Sequence, residues 1–214
     1  TTWSGEVVLS GNVTVASGTT LTLAPGTTVD AKAYAIYVDG ALVAEQATFF
    51  SSVVPETQGS HGQGLWPGIV VEPGGQANLT ETVVANASAG VLVRGAFNGT
   101  DVVFNDAYRG LSVMGGAAEV SGMEAHRMDY EAIYVASGTL HANDVLAREV
   151  AVGLANHGQS NLTDLTVREA GVGVQSQAGS MNLSGLNVHN ASVGFATVSG
   201  ASTLLDTFTG SGLA

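Results

Sequence analysis

Two short columns of polar residues carry most of the chemistry open to this chain. Arg127, Arg148 and Arg168 are three of only six basic residues. When the chain is read in units of about 21 residues, Asn105, His126, Arg148, Arg168 and His189 share one position. Asn86, Asp106, Arg127, Glu149, Glu169 and Asn190 share the next. A row of cations at that interval can hold the carboxylate or sulfate groups of a glycan, because a guanidinium matches a planar anion with two parallel donors. The competing arrangement pairs Arg148 with Glu149 and Arg168 with Glu169 across units, each exposed pair being worth less than about 1 kcal/mol. Pairing is the expected arrangement, since it relieves repulsion in a turn.

Other candidates are sparser. Glu124, Asp129 and Glu131 form the densest acidic spot, within EAHRMDYE. Hard oxygen ligands of this kind suit calcium, but the spacing matches no calcium loop, so a solvated turn is expected and no cofactor is assigned. Trp3 and Trp66 could each offer a flat face to a sugar, although Trp66 precedes Pro67-Gly68 and is expected to pack inward. Seven asparagines, Asn12, Asn78, Asn86, Asn98, Asn161, Asn182 and Asn190, have Ser or Thr two residues on. That spacing marks N-glycosylation acceptors. With 11 Asn and 38 Ser+Thr in 214 residues, chance gives roughly two. Polar turns followed by alternating strands also enrich the pattern, and Asn161 and Asn182 fall in one column where two glycans would crowd.

The elements that position these residues are short and repeated. A small residue followed by apolar–any–apolar recurs at Ala35, Gly68, Gly90, Gly110, Ala132, Gly153, Gly173 and Gly194. The intervals are 33, 22, 20, 22, 21, 20 and 21 residues. Each unit holds two or three stretches of period-2 alternation divided by Gly, Asn, Ser or Asp, and no window keeps helical spacing. A unit of this size cannot bury its apolar face alone, so the units must stack, each strand pairing with its equivalent one turn away. Ile36, Ile69, Val91, Leu111, Ile133, Leu154, Val174 and Phe195 then form one inward ladder. Val84, Phe104, Ala125, Ala147, Val167 and Val188 form another. Glycine at the anchor is expected at a tight corner, where a Cβ would crowd the bend or φ must be positive.

Composition narrows the function classes. A net charge of −12 with one Lys and five Arg leaves no basic surface for nucleic acid. No apolar run approaches the roughly 20 residues of a membrane helix. Without Cys there is no disulfide, zinc thiolate or thiol chemistry. The reading is a single domain over 1–214, with opening coils at 1–34, a protruding loop at 55–67 and an incomplete last coil at 201–214.

VTVASGTTLTLAPGTTV (13–29), LWPGIVVEPGGQANLTETVVANASAGVLV (65–93) and the later Asn-turn-then-Gly units resemble the right-handed parallel β-helix proteins of the pectate-lyase-like superfamily. The nearest likeness is to their non-enzymatic branch on bacterial and archaeal cell surfaces. The resemblance implies an all-β, right-handed parallel β-helix of about nine to ten coils with roughly 21 residues each. Enzymes of the superfamily carry N-x-D, D-D, G-H-G or R-x-K elements, and none occurs here; His61-Gly62 and His157-Gly158 are the nearest approaches. The expectation is therefore no enzyme, but an extracellular or cell-surface structural protein bearing N-glycans. Its partners would be copies of itself stacked head to tail, and cell-surface glycans. The alternative is a β-helix that binds or cleaves acidic glycans.

Overall fold

The computed structural model describes residues 1–53, 65–198 and 200–213. Every strand in it lies parallel to its neighbours, and the chain winds as an all-β solenoid of about nine turns with about 21 residues per turn. Three faces recur in each coil. The first face stacks Thr20–Leu23, Ala41–Glu45, Gln76–Thr80 and Ala96–Thr100. The second stacks Thr28–Asp30, Thr48–Phe50, Val83–Ala85 and Val103–Ala107. The third stacks Ile36–Val38, Ile69–Val71 and Ala89–Val93. Beyond residue 109 the faces run together as Arg109–Asn156, Gln159–Ser176 and Ser180–Thr197, bent at corners without losing the ladder.

Both inward ladders lie where the alternation put them. Ile36, Ile69, Val91, Leu111, Ile133, Leu154 and Val174 are fully buried, as are Val84, Phe104, Ala125, Ala147, Val167 and Val188. Pairing of Leu154 with Val174, and of Val174 with Phe195, holds the register. A slip by one residue would turn the whole set outward, so core burial and register fix each other.

The corners differ from expectation. Among the described residues, twelve non-glycine residues have positive φ, and they sit at two bends. Gln46, Glu81, Asp101, Asp144 and Asp164 make the first corner, between the first and second faces, and glycine replaces them at Gly122 and Gly185. Lys32, Asn86, Asp106, Arg127, Glu149, Glu169 and Asn190 make the second corner. One left-handed residue swings the chain through each bend, a conformation Asn and Asp tolerate best and other side chains adopt at a cost of order 1–2 kcal/mol. The anchor glycines meet the expectation of crowding: Gly68 has a φ of 102°, and none of them has room for a Cβ. Gly90, Gly153 and Gly173 have ordinary φ, and a Cβ there would strike the Phe104 ring, or Val167 and the Gly173 carbonyl, or Val188 and the Gly194 carbonyl. They are small because an inward side chain of the second face packs over them.

One inward column of the third face changes chemistry along the axis. Val15, Val38, Val71 and Val93 pair in turn, and Val113 and Val135 continue them, all buried. The same column then carries Asn156 and Ser176, both fully buried. The Asn156 amide donates to the carbonyls of Gly158, Ala178 and Ser180 at 3.4, 3.2 and 3.4 Å, and its oxygen accepts from Ser160 Oγ at 2.6 Å. Thr203 Oγ1 donates to Ser176 Oγ at 2.9 Å.

Candidate functional site

The cation column and the corner beside it lie where the 21-residue reading placed them. Arg148 pairs with Arg168 and Arg168 with His189, all on the outward side of the second face. Arg127 belongs instead to the second corner. It meets Asp106 one coil below through Nε and Nη2, at 2.6 and 2.7 Å. Those hydrogen bonds raise its pKa above the ordinary arginine value, partial burial works against them, and the charges of Asp106 and Glu149 add to the rise.

The expected pairing of Arg148 with Glu149 and Arg168 with Glu169 does not form. Arg148 donates to His126 Nδ1 at 2.9 Å, and His126 Nε2 meets Glu124 Oε2 at 2.9 Å. The imidazole is thereby held with its proton on Nε2 toward the carboxylate and its lone pair toward the guanidinium. Arg168 makes no ion pair among the described residues. His189 Nδ1 meets Ser211 Oγ at 2.7 Å. The physical reason is direction: Glu149 and Glu169 occupy the left-handed corner, which carries their side chains away from the strand bearing the arginines.

The acidic spot is dispersed. Glu124 is held by His126, and Glu131 is buried against Arg109 Nε at 2.5 Å. Asp129 keeps one buried carboxylate oxygen without a partner. Among the described residues no three metal-ligating side chains converge. Arg109 lies over the rings of Tyr108, Tyr130 and Tyr134 at 5.3, 5.4 and 4.5 Å. Tyr108 and Tyr130 share one position of the repeat and stack at 5.6 Å, a coincidence of spacing that the sequence reading did not single out. Trp66 is wholly buried, its indole N–H donating to Ala85 O at 2.8 Å, so it offers no face to a sugar. Residues 55–64 of the expected 55–67 loop, His61 among them, lie outside the described residues.

A concavity runs along the first face as a groove of about 690 Å³. Two outward columns border it. Asn98, Glu119, His141, Asn161 and Asn182 form one, and Thr100, Ser121, Asn143, Thr163 and Ser184 the other. Leu204 and Asp206 close the far end. Amides hold hands along the first column: Asn98 Nδ2 donates to Asn78 Oδ1 at 2.8 Å, and Asn182 Nδ2 to Asn161 Oδ1 at 2.8 Å. Four of the seven glycosylation candidates thus stand in this one column. Asn12 is engaged elsewhere, its side-chain oxygen accepting from Ala35 N at 3.0 Å, while Asn86 and Asn190 turn the second corner. The signal that could have found the groove was the shared register of Asn161 and Asn182, read instead as a place where glycans would collide. Of the groove carboxylates, Glu119 and Asp206 stand four coils apart. At about 4.8 Å per coil that is roughly 19 Å, beyond the about 5–10 Å over which two carboxyls act on one glycosidic bond.

No protein-family model matches the chain, and no curated protein matches it. Among solved structures, it is similar to endopolygalacturonase I from Stereum purpureum, complexed with two galacturonate. The identity is 11%, over 97% of this chain and 95% of that one, with a TM-score of 0.39. This corrects the expectation that the chain is no enzyme. The structure it is similar to is an endopolygalacturonase, a glycoside hydrolase. At this level of similarity the likeness assigns the chain no substrate.

Proposed function

We propose that this is an extracellular β-solenoid that binds an extended, uncharged polysaccharide along the groove of its first face. The observation that carries the reading is the double column of polar side chains at coil spacing, Asn, Thr and Ser with one Glu and one His, open to solvent over five successive coils. Strands one turn apart lie about 4.8 Å from each other, close to the rise of one sugar in an extended chain, so successive coils can offer polar pairs to successive residues, an amide with a hydroxyl at Asn98/Thr100, Asn161/Thr163 and Asn182/Ser184. No Lys or Arg lines the groove, while Glu119 and Asp206 do, which disfavours an acidic glycan there. Backbone-braced side chains on a stiff sheet also lose little entropy on binding.

Retention on insoluble neutral polysaccharides tests the reading. Asn161→Ala with Asn182→Ala should weaken retention at least tenfold and leave the melting temperature within a few degrees. Equal retention of wild type and variant would remove the groove. New reducing ends in the supernatant would add cleavage to binding. Intact-mass analysis of native material completes the test, because a glycan on Asn161 or Asn182 would fill the same space.

A further inference from the structure

On the second face, two successive coils carry the same motif, Asp144-Val-Leu-Ala-Arg148 and Asp164-Leu-Thr-Val-Arg168. Within the described chain the four charged side chains are exposed, and none makes an ion pair. Asp144 and Asp164 stand at the first corner with φ of 53° and 55°, and Arg148 stacks on Arg168 four residues further on. An acidic ladder and a basic ladder therefore run side by side, parallel to the solenoid axis. Leu146 and Thr166, paired with each other and half-buried, lie in the lane between them. Two like charges stacked about 4.8 Å apart repel, and neither ladder is neutralised within the chain.

We infer that this patch is a self-complementary interface through which two copies of the chain pack side by side, with their axes parallel. A two-fold axis along the lane between the ladders exchanges left for right and leaves height unchanged. Each acidic ladder then faces the partner's basic ladder. Arg148 meets Asp144 of the second copy and Arg168 meets its Asp164, four ion pairs in all, around the twinned Leu146 side chains. Such an isologous arrangement closes on itself. The alternative two-fold, across the solenoid axis, would set acid against acid and is excluded by charge. The spacing argument favours a second copy over any other partner: two identical solenoids have identical coil heights, so the ladders stay in step without adjustment.

The neighbouring charges bound the patch. Glu124 lies in the same lane one coil below, where its twin would repel it, and it is held back by His126. Arg127 is occupied by Asp106. Glu149 and Glu169 turn away at the second corner. With a net charge of −12 on each copy, association is weak at very low salt. It is strongest near 0.1 M, where long-range repulsion is screened over about 10 Å while the contacts survive.

Sedimentation velocity of the full chain across a concentration series in about 0.1 M salt tests the interface, which is independent of the groove. The wild type should pass from monomer to dimer and return to monomer in 1 M salt. Asp144→Arg with Asp164→Arg should be monomeric, as should Arg148→Asp with Arg168→Asp; mixed together, these two variants should form a heterodimer. Arginine already occupies a left-handed corner at Arg127, and circular dichroism melts of each variant establish that it is folded. A wild type that stays monomeric, a dimer that survives Arg148→Asp with Arg168→Asp, or a mixture without heterodimer overturns the inference. So does a monomer whose arginines instead retain it on polygalacturonate or dextran sulfate, which gives the ladder to an acidic polysaccharide.

Discussion

The early and late coils solve the same problem in one column with opposite chemistry. From Val15 to Val135 the inner column of the third face is valine at every coil, and its interior needs nothing beyond contact. At Asn156 and Ser176 the column turns polar, and each polar atom reaches a carbonyl or hydroxyl of its own or an adjacent coil. A buried amide costs several kcal/mol when unpartnered and little when satisfied. The solenoid therefore tolerates either chemistry, provided that a whole neighbourhood adopts it. Charge is handled similarly. The early coils bury Asp30 against Ser52 and Lys32 at one corner, while the late coils leave Asp144 and Asp164 in water.

Exchanging the two chemistries should break this comparison most severely. Val113→Asn places an amide in a column that is valine on the neighbouring coil and lacks the serine partner found at Asn156, and stability should fall by about 3–4 kcal/mol in denaturant titration. An unchanged midpoint would mean that the column is looser than its burial shows. The reverse exchange, Asn156→Val, is nearly isosteric but strands Ser160 Oγ and the Ala178 carbonyl, and should cost about 2 kcal/mol. Adding Ser160→Ala to it should recover part of that loss, because both polar partners are then gone. If the double variant is as unstable as the two single losses added together, the network is not coupled.

Asp30→Asn should come next, at about 1–2 kcal/mol near neutral pH. Burial alone would raise the Asp30 pKa, but donation from Lys32 and from the Ser52 hydroxyl and backbone outweighs it and holds the carboxyl well below the usual range. The pKa is depressed in the folded state, so the stabilisation is present above the unfolded value near 4 and is lost as pH falls below it. Wild-type stability should therefore drop on acidification through that range, and the variant should drop less. Parallel curves would remove Asp30 as the cause. The smallest effect is expected at the exposed Arg94–Glu72 pair, 3.0 Å apart between neighbouring coils. Arg94→Ala should change stability by less than about 0.5 kcal/mol.

Much of this architecture was legible because burial imposes a period. Val84, Phe104 and Ala125 stand in one column for the same reason that their spacing is regular, and a sequence shows spacing directly. The corners were half legible. The column Asn86, Asp106, Arg127, Glu149, Glu169, Asn190 was aligned correctly as a turn before the anchor, but its left-handed backbone was not foreseen. Positive φ at glutamate or arginine leaves no compositional trace. The site was least legible. Whether Arg148 meets Glu149 or His126 depends on the direction in which a single left-handed residue throws its side chain, and no spacing encodes that. The groove escaped for a different reason: Asn98, Asn161 and Asn182 also fit the glycosylation pattern, and one signal obscured the other.

The hydrogen bonds that join one coil to the next run along the solenoid axis, with only a single covalent crossing per turn beside them. Tension applied between the two ends therefore loads one coil interface at a time, in series. Under a steady pull the molecule should lengthen in steps, each releasing a turn of about 21 residues and adding about 70 Å of chain. The steps should begin at an end, where a coil has only one neighbour to hold it, and advance inward. Mechanically, the protein is less a rigid rod than a coiled tether whose length is paid out a turn at a time.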